Sequence, residues 1–218
     1  MRLSKIEGNL YRDHVRLNDP NDECYFFGEY TAKKNWSYGK TNSFISNFKK
    51  KPTTLAAKPN LRRWKNEAIN TARSLITPYH DSDPFRNSLW IPAPNSKTHA
   101  HQDYDRRLSS VLSDMAARFP ETFRWEEVIV PTCDRSSMSE GGPRLTPDQI
   151  QEIIRIDNVE ILDQFSDVVI FDDVITNGAT FVATKNTLLS AQPNLNVRGV
   201  FLARTVHVID TSGFLPLE

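Results

Sequence analysis

The chain has 218 residues, enough for one domain with a substantial core. It is 39% apolar and 25% charged, with Lys+Arg and Asp+Glu balanced at 27 each, so net charge gives no case for a nucleic-acid or membrane partner. No apolar run approaches the roughly 20 residues that span a bilayer, and the start, MRLSKIEGNLYRDH, lacks the apolar core of a signal peptide.

The first 87 residues read differently from the rest. Cys24-Tyr25-Phe26-Phe27, with Tyr30, predicts a strand, and Ser43 to Lys51 a short helix ending in a lysine cluster and stopped by Pro52. A second helix is expected from Asn60 as its cap, because Leu61, Trp64, Ala68, Ala72, Leu75 and Ile76 recur near the helical period. Asp81-Ser82-Asp83-Pro84 reads as a turn. Residues 1–87 are expected to form an α+β N-terminal hood or extension. Its aromatics Tyr25, Phe27, Tyr30, Trp36 and Tyr38 either stack on a flat ligand or form the hood's own small core. Cys24 and Cys133 lie far apart, in or beside apolar runs, so buried reduced thiols and a cytoplasmic setting are expected.

From residue 88 to 218 the pattern alternates. Leu89 to Pro92 predicts a strand, and Tyr104, Leu108, Val111, Leu112, Met115 and Phe119 share a helical face. Val128-Ile129-Val130 predicts a second strand. Thr146-Pro147-Asp148-Gln149 has the capping-box pattern, with Ile150, Ile153 and Ile154 following. Val168 to Phe171 is a continuous apolar run, as in a strand covered on both faces. A helix from Ala179 to Ser190 and a strand at Val200-Phe201-Leu202 close the series. This alternation predicts an α/β fold, a Rossmann-like parallel sheet flanked by helices, which binds ligands at the carboxyl ends of its strands.

The densest chemistry is in DVVIFDDVITNGATF, residues 167 to 181. Asp172 and Asp173 follow the apolar run, and Thr176-Asn177-Gly178-Ala179-Thr180 opens onto a helix N-terminus, where unpaired N–H groups attract a phosphate. Carboxylates beside an anion cradle suit a ligand with sugar hydroxyls next to a phosphate. This stretch resembles the signature of type I phosphoribosyltransferases: four apolar residues, two acids, and a Thr/Gly-containing loop ending in Ser or Thr. The resemblance implies the type I phosphoribosyltransferase fold and a magnesium-dependent transferase of nucleotide metabolism that uses phosphoribosyl pyrophosphate. It assigns Asp172 and Asp173 to the ribose hydroxyls, and Thr176, Asn177, Gly178, Ala179 and Thr180 to the 5′-phosphate. A Cβ at Gly178 is then expected to crowd the phosphate.

The same resemblance puts a pyrophosphate-binding turn after the first core strand, at Asn95-Ser96-Lys97. Ser96 and Lys97 are candidate pyrophosphate ligands there; a plain polar surface turn is the other reading. Arg106 is a further candidate from the following helix, with Arg107 beside it. Residues 132–147, rich in Ser, Gly and Pro, read as a loop that closes on the substrate or as a plain connector. Its candidates are Arg135, Arg144 and the serines. Within the family the chain is most similar to the ComF-like, competence-associated branch, through Arg144, Thr146, Gln149, Arg155 and Asn158 before the signature and Ala203-Arg204-Thr205 after the last strand. It departs from that branch in lacking its N-terminal zinc cysteines and in carrying Tyr104-Asp105-Arg106-Arg107 where an Arg-Gly-Phe-Asn element is usual, so the acceptor stays open. Threonine at 176 argues against a 6-oxopurine acceptor, because purine-salvage members carry an acid there.

Two other readings are open. The protein binds phosphoribosyl pyrophosphate or a nucleotide without turnover, as a regulatory or effector subunit; a homodimer or a complex with a partner protein fits either this or the enzyme. Alternatively His99-Ala100-His101-Gln102-Asp103 resembles the start of the zinc motif of metallo-β-lactamase-type hydrolases, with Tyr104 in place of the closing histidine.

Overall fold

The computed structural model describes residues 1–18, 22–136 and 142–207. In chain order the strands are β1 (Ser4–Lys5), β2 (Cys24–Phe26), β3 (Glu29–Thr31), β4 (Leu89–Pro92), β5 (Arg124–Trp125), β6 (Ile129–Pro131), β7 (Ile154–Ile156), β8 (Asp167–Ile175) and β9 (Asn196–Val206). The helices are α1 (Lys40–Phe48), α2 (Pro52–Ala57), α3 (Arg62–Ile76), α4 (Arg107–Arg118), α5 (Pro147–Gln151) and α6 (Ala179–Ala191).

The main sheet runs β1-β2-β9-β8-β4-β5, with β3 also on β9. Only β1 is antiparallel within it. Strands β8 and β9 form the centre because both are long and apolar, and Val168 to Phe171 are wholly buried. Helices cover both faces. Phe201, in register with Asp172, packs edge-on against Phe181 of α6 at 6.2 Å. Asp173, one residue on and therefore on the opposite face, reaches α1 and α4. The molecule is thus an α/β protein with a mostly parallel mixed sheet between helical layers. Residues 1–87 contribute β1, β2 and β3 to this sheet, and Ile6, Phe44, Ile45 and Phe48 join the same core as β4 and β8.

Several elements differ from the sequence expectation. Val128 to Val130 gives β6, which pairs antiparallel with β7 in a separate two-stranded ladder. The place beside β4 goes to β5, whose exposed and half-buried residues give no apolar signal. Ile154 opens β7 rather than extending α5, although the capping box is present, with Thr146 Oγ1 accepting from Gln149 N and Gln149 Oε1 accepting from Thr146 N. Pro52 starts α2 instead of merely ending α1, and Asn60 lies in a 3-10 turn (Pro59–Leu61) rather than capping α3. Strand β9 is far longer than its apolar centre because ion pairs satisfy its flanking arginines. Arg198 binds Glu23 and Asp167, and Arg204 binds Asp13 and Glu29. Cys24 is buried, its thiol pushed up by desolvation, but Cys133 is exposed. No helix among the described residues is long and apolar enough to cross a membrane.

Gly199 of β9 lies against the Phe201 and Phe181 rings between the sheet and α6. A Cβ built there falls 2.6 Å from Phe201 and 3.0 Å from Phe181. Gly199→Ala is expected to lower stability by about 1–3 kcal/mol through overpacking, read as a shift of the urea midpoint at unchanged slope.

Candidate functional site

A cleft of about 200 Å³ opens at the carboxyl ends of β4 and β8. Asp172 and Asp173 both line it, but they are not at the strand's exit. Strand β8 continues through Ile175, so the two side chains leave opposite faces of the sheet. That alternation gives them different surroundings.

Asp173 is buried and saturated with cations. Its Oδ1 accepts from Lys49 Nζ at 3.0 Å, and its Oδ2 accepts from Arg107 Nε at 2.9 Å and Nη2 at 2.6 Å. Arg107 Nη1 also donates to Asp105 at 3.0 Å, and Lys65 Nζ donates to both Asp105 oxygens at 2.7 Å. One chain of charges therefore links β8, α4, α3 and the end of α1. Against the burial that opposes ionisation, Lys49 and Arg107 hold the Asp173 carboxyl below the ordinary carboxylate range. Asp172 is half-buried, and its side chain accepts from the Asp173 backbone N–H at 2.7 Å. Desolvation and the neighbouring Asp173 charge push its carboxyl up. Lys49 and Arg107 partly offset that rise, and Arg135, which also lines the cleft, feels the Asp172 charge.

The loop after β8 meets the cleft through Thr176 and Thr180. Gly178 and Ala179 line a second recess of only about 20 Å³, shared with Asp172 and Phe181. Asn177 lines neither; its Oδ1 accepts from Ala179 N at 3.1 Å, occupying an amide at the start of α6. Behind the loop runs a strap from the N-terminal segment. His14 Nδ1 donates to Thr176 O, and Arg16 N donates to Asn177 O at 2.9 Å. Gly178 has φ +89°, and a Cβ there would meet the Leu17 side chain at 2.7 Å. The expectation that this Cβ would crowd a phosphate is corrected: it would strike the strap. In a trans peptide the N–H points opposite to the C=O. Fixing the carbonyls of Thr176 and Asn177 on the strap side therefore turns the N–H groups of Asn177 and Gly178 away from it.

The turn after β4 brings Ser96 and Lys97 into the cleft, joined by Arg135, Lys51 and Asp103. Ser96 O accepts from Arg135 N at 2.9 Å, and Thr98 binds Asp134 through N and Oγ1 at 2.7 and 2.9 Å. The two segments are thus latched together. Arg106 and Arg144 are exposed and do not line the cleft. Arg106 stands at the N-cap position of α4 without a side-chain capping bond, whereas Arg107, one turn before buried Val111, points inward. Lys49 and Lys51, which the sequence marks only as a lysine cluster ending a helix, and Asp105 also line it. Tyr25 and Phe27 pack against Phe85 and Tyr79 in the core, and Trp36 and Tyr38 are exposed; none lines the cleft. Of the 132–147 loop, residues 137–141 lie outside the described residues, as does the tail after 207.

The histidine pair does not converge on one point. His99 Nε2 faces Glu127 at 3.2 Å, while His101 Nδ1 accepts from Asp103 N at 2.9 Å. Among the described residues no group of three metal-ligating side chains collects. Asp105 and Asp173 are held by cations, and Asp103 accepts from Thr53 through one oxygen, so Asp172 and Asp103 are the cleft acids able to offer an oxygen. That donor set fits a magnesium ion that takes most of its oxygens from substrate and water, not one caged by protein. The sequence matches no protein-family model and no curated protein.

The two acids are expected to behave oppositely on removal. Asp173→Asn strands Lys49 and Arg107 and lowers stability by about 3 kcal/mol at neutral pH. Asp172 holds its proton more tightly folded than unfolded. Its stability contribution is therefore present at low pH and is lost as pH rises from the ordinary carboxylate range through the raised value. Asp172→Asn should then raise the melting temperature at pH 8 and leave it nearly unchanged at pH 4. Thermal melts of both variants across that range check the pair.

Proposed function

We propose that the cleft takes phosphoribosyl pyrophosphate and that the chain is a magnesium-dependent phosphoribosyltransferase with the type I fold. One juxtaposition carries the reading. Asp172 and, from the loop at the start of α6, Thr176 and Thr180 face a single cleft that Lys49, Lys51, Lys97 and Arg135 also line. A ligand with two sugar hydroxyls between two anionic ends matches that order of groups.

In this reading Asp172 accepts from a ribose hydroxyl, and Thr176 and Thr180 with the loop amides hold the 5′-phosphate. Lys97, Ser96 and Arg135 meet the pyrophosphate. The bond from the anomeric carbon to the pyrophosphate oxygen breaks, its electron pair leaving with pyrophosphate, and positive charge builds on the ribose. A nitrogen lone pair of a base or amine acceptor forms the new bond, and the nitrogen gives up its proton to the departing pyrophosphate or to solvent water. Asp172 lies on the side where that positive charge grows and stabilises it electrostatically. Magnesium, bound with the substrate, supplies neutralisation of the departing charge. The protein otherwise positions its reactants.

A second reading has an observation of its own. With Asp173 shared between Lys49 and Arg107, one carboxylate rather than two is presented to a ligand. This favours a module that binds phosphoribosyl pyrophosphate or a nucleotide without turnover.

Calorimetry with phosphoribosyl pyrophosphate and Mg²⁺, followed by pyrophosphate release across a panel of bases and amines, separates the readings. Binding with release supports the transferase, binding without release on any acceptor supports the sensor, and no binding sinks both. Asp172→Asn is expected to weaken binding at least about tenfold, the scale of one hydrogen bond to a charged group. Arg135→Met should weaken phosphoribosyl pyrophosphate similarly but leave ribose 5-phosphate affinity unchanged.

A further inference from the structure

From Tyr30 to Asn66 the chain carries ten lysines and arginines and no aspartate or glutamate, whereas the remaining residues carry 17 basic and 27 acidic ones. Neutrality of the whole conceals a strongly cationic segment. It folds as the loop after β3, α1, α2, a 3-10 turn and the first turn of α3. Lys33, Lys34, Lys40, Lys58, Arg62 and Arg63 are exposed, and Lys49, Lys50 and Lys51 are half-buried. Helix α1 packs on α3. Buried Lys65 donates to Lys50 O at 2.5 Å and so pins the start of α3 to the lysine triplet at the cleft mouth.

Among the described residues, every strongly exposed large aromatic side chain lies in this segment: Trp36 at 66%, Tyr38 at 52% and Trp64 at 43%. They are held in place rather than left loose. Buried Asn42 accepts from Thr31 N and donates to the carbonyls of Thr31 and Lys34, and Asn35 caps the 3-10 turn Trp36–Tyr38 by accepting from Ser37 N at 3.0 Å. Cations already lie over two of the rings, Arg63 4.6 Å from the centre of Trp64 and Lys34 5.6 Å from that of Tyr38. Exposed rings among cations of one sign present flat faces to stack on and charges to pair with phosphate.

We propose that residues 30–66 form a binding surface for single-stranded nucleic acid, with bases stacking on Trp36, Tyr38 and Trp64 and phosphates held by the exposed lysines and arginines. A duplex hides its base faces. A lipid surface would need aliphatic side chains beside the rings, and the apolar side chains of α1, Phe44, Ile45 and Phe48, are all buried. The inference rests on charge and exposure outside the cleft and stands whatever the cleft binds.

The test is fluorescence anisotropy of the full chain with a short labelled oligothymidylate, the matching oligouridylate and a duplex of equal length, across a salt series. A single strand is expected to bind more tightly than the duplex, with affinity falling steeply as salt rises. Trp36→Ala and Trp64→Ala should each weaken it at least about fivefold with unchanged melting temperatures. Arg62→Gln and Arg63→Gln should each flatten the logarithmic salt slope by about 0.7. No binding at low salt, equal affinity for duplex, indifference to loss of both tryptophans, or binding to phosphatidylserine vesicles in place of oligonucleotides would each overturn it.

Discussion

Asp173 sits on the central strand with 3% of its surface exposed, and an ion so placed costs several kcal/mol unless cations accompany it into the interior. Lys49 and Arg107 meet that need from two different helices. Arg107 in turn requires Asp105, and Asp105 is matched by Lys65 on a third. The sheet and the α1/α3/α4 layer are therefore joined at the cleft by charge as well as by apolar packing. Loosening any member leaves its partners uncompensated in a poorly hydrated place, so the mouth of the cleft is held in one arrangement.

Its neighbour in sequence is under the opposite constraint. Among the described residues no member of the ion chain hydrogen-bonds the Asp172 side chain, which lies against the cleft, its carboxyl pushed up by burial and by the adjacent charge. Two identical side chains, one residue apart, are separated by the pleat of a strand into an ion-paired anchor and a group left facing the cleft.

Much of this was legible in the chain. The apolar run before Asp172, the capping box at Thr146 and the periodicity of α3 and α4 each mark an element that is present. The cleft's position at the strand ends follows from the alternation of strands and helices, and Ser96 and Lys97 were placed on its rim by the turn after β4. Other features leave little trace. Strand β5 has only Arg124 and Trp125 to announce it, and the separate β6–β7 ladder looks like part of the main sheet because short apolar runs do not specify a partner. Arg106 and Arg107 differ in helical phase: the residue four before Val111 faces inward, and the periodicity of α4 carries that signal. Lys49 and Lys51 were readable only as the end of a helix, since the tertiary fold brings α1 to β8 from more than 120 residues away. His14 and Leu17, which back the loop from across the chain, carried no local signal at all.

The strap gives residues 14–17 a thermodynamic stake in whatever the loop holds. If an anion seats against the amides of 177 and 178, it favours the peptide orientation that the strap enforces, and reciprocity requires that it also tighten the strap. Occupancy of the cleft and protection of the chain's early backbone from proteases or solvent exchange would then rise together, although no early residue touches the ligand.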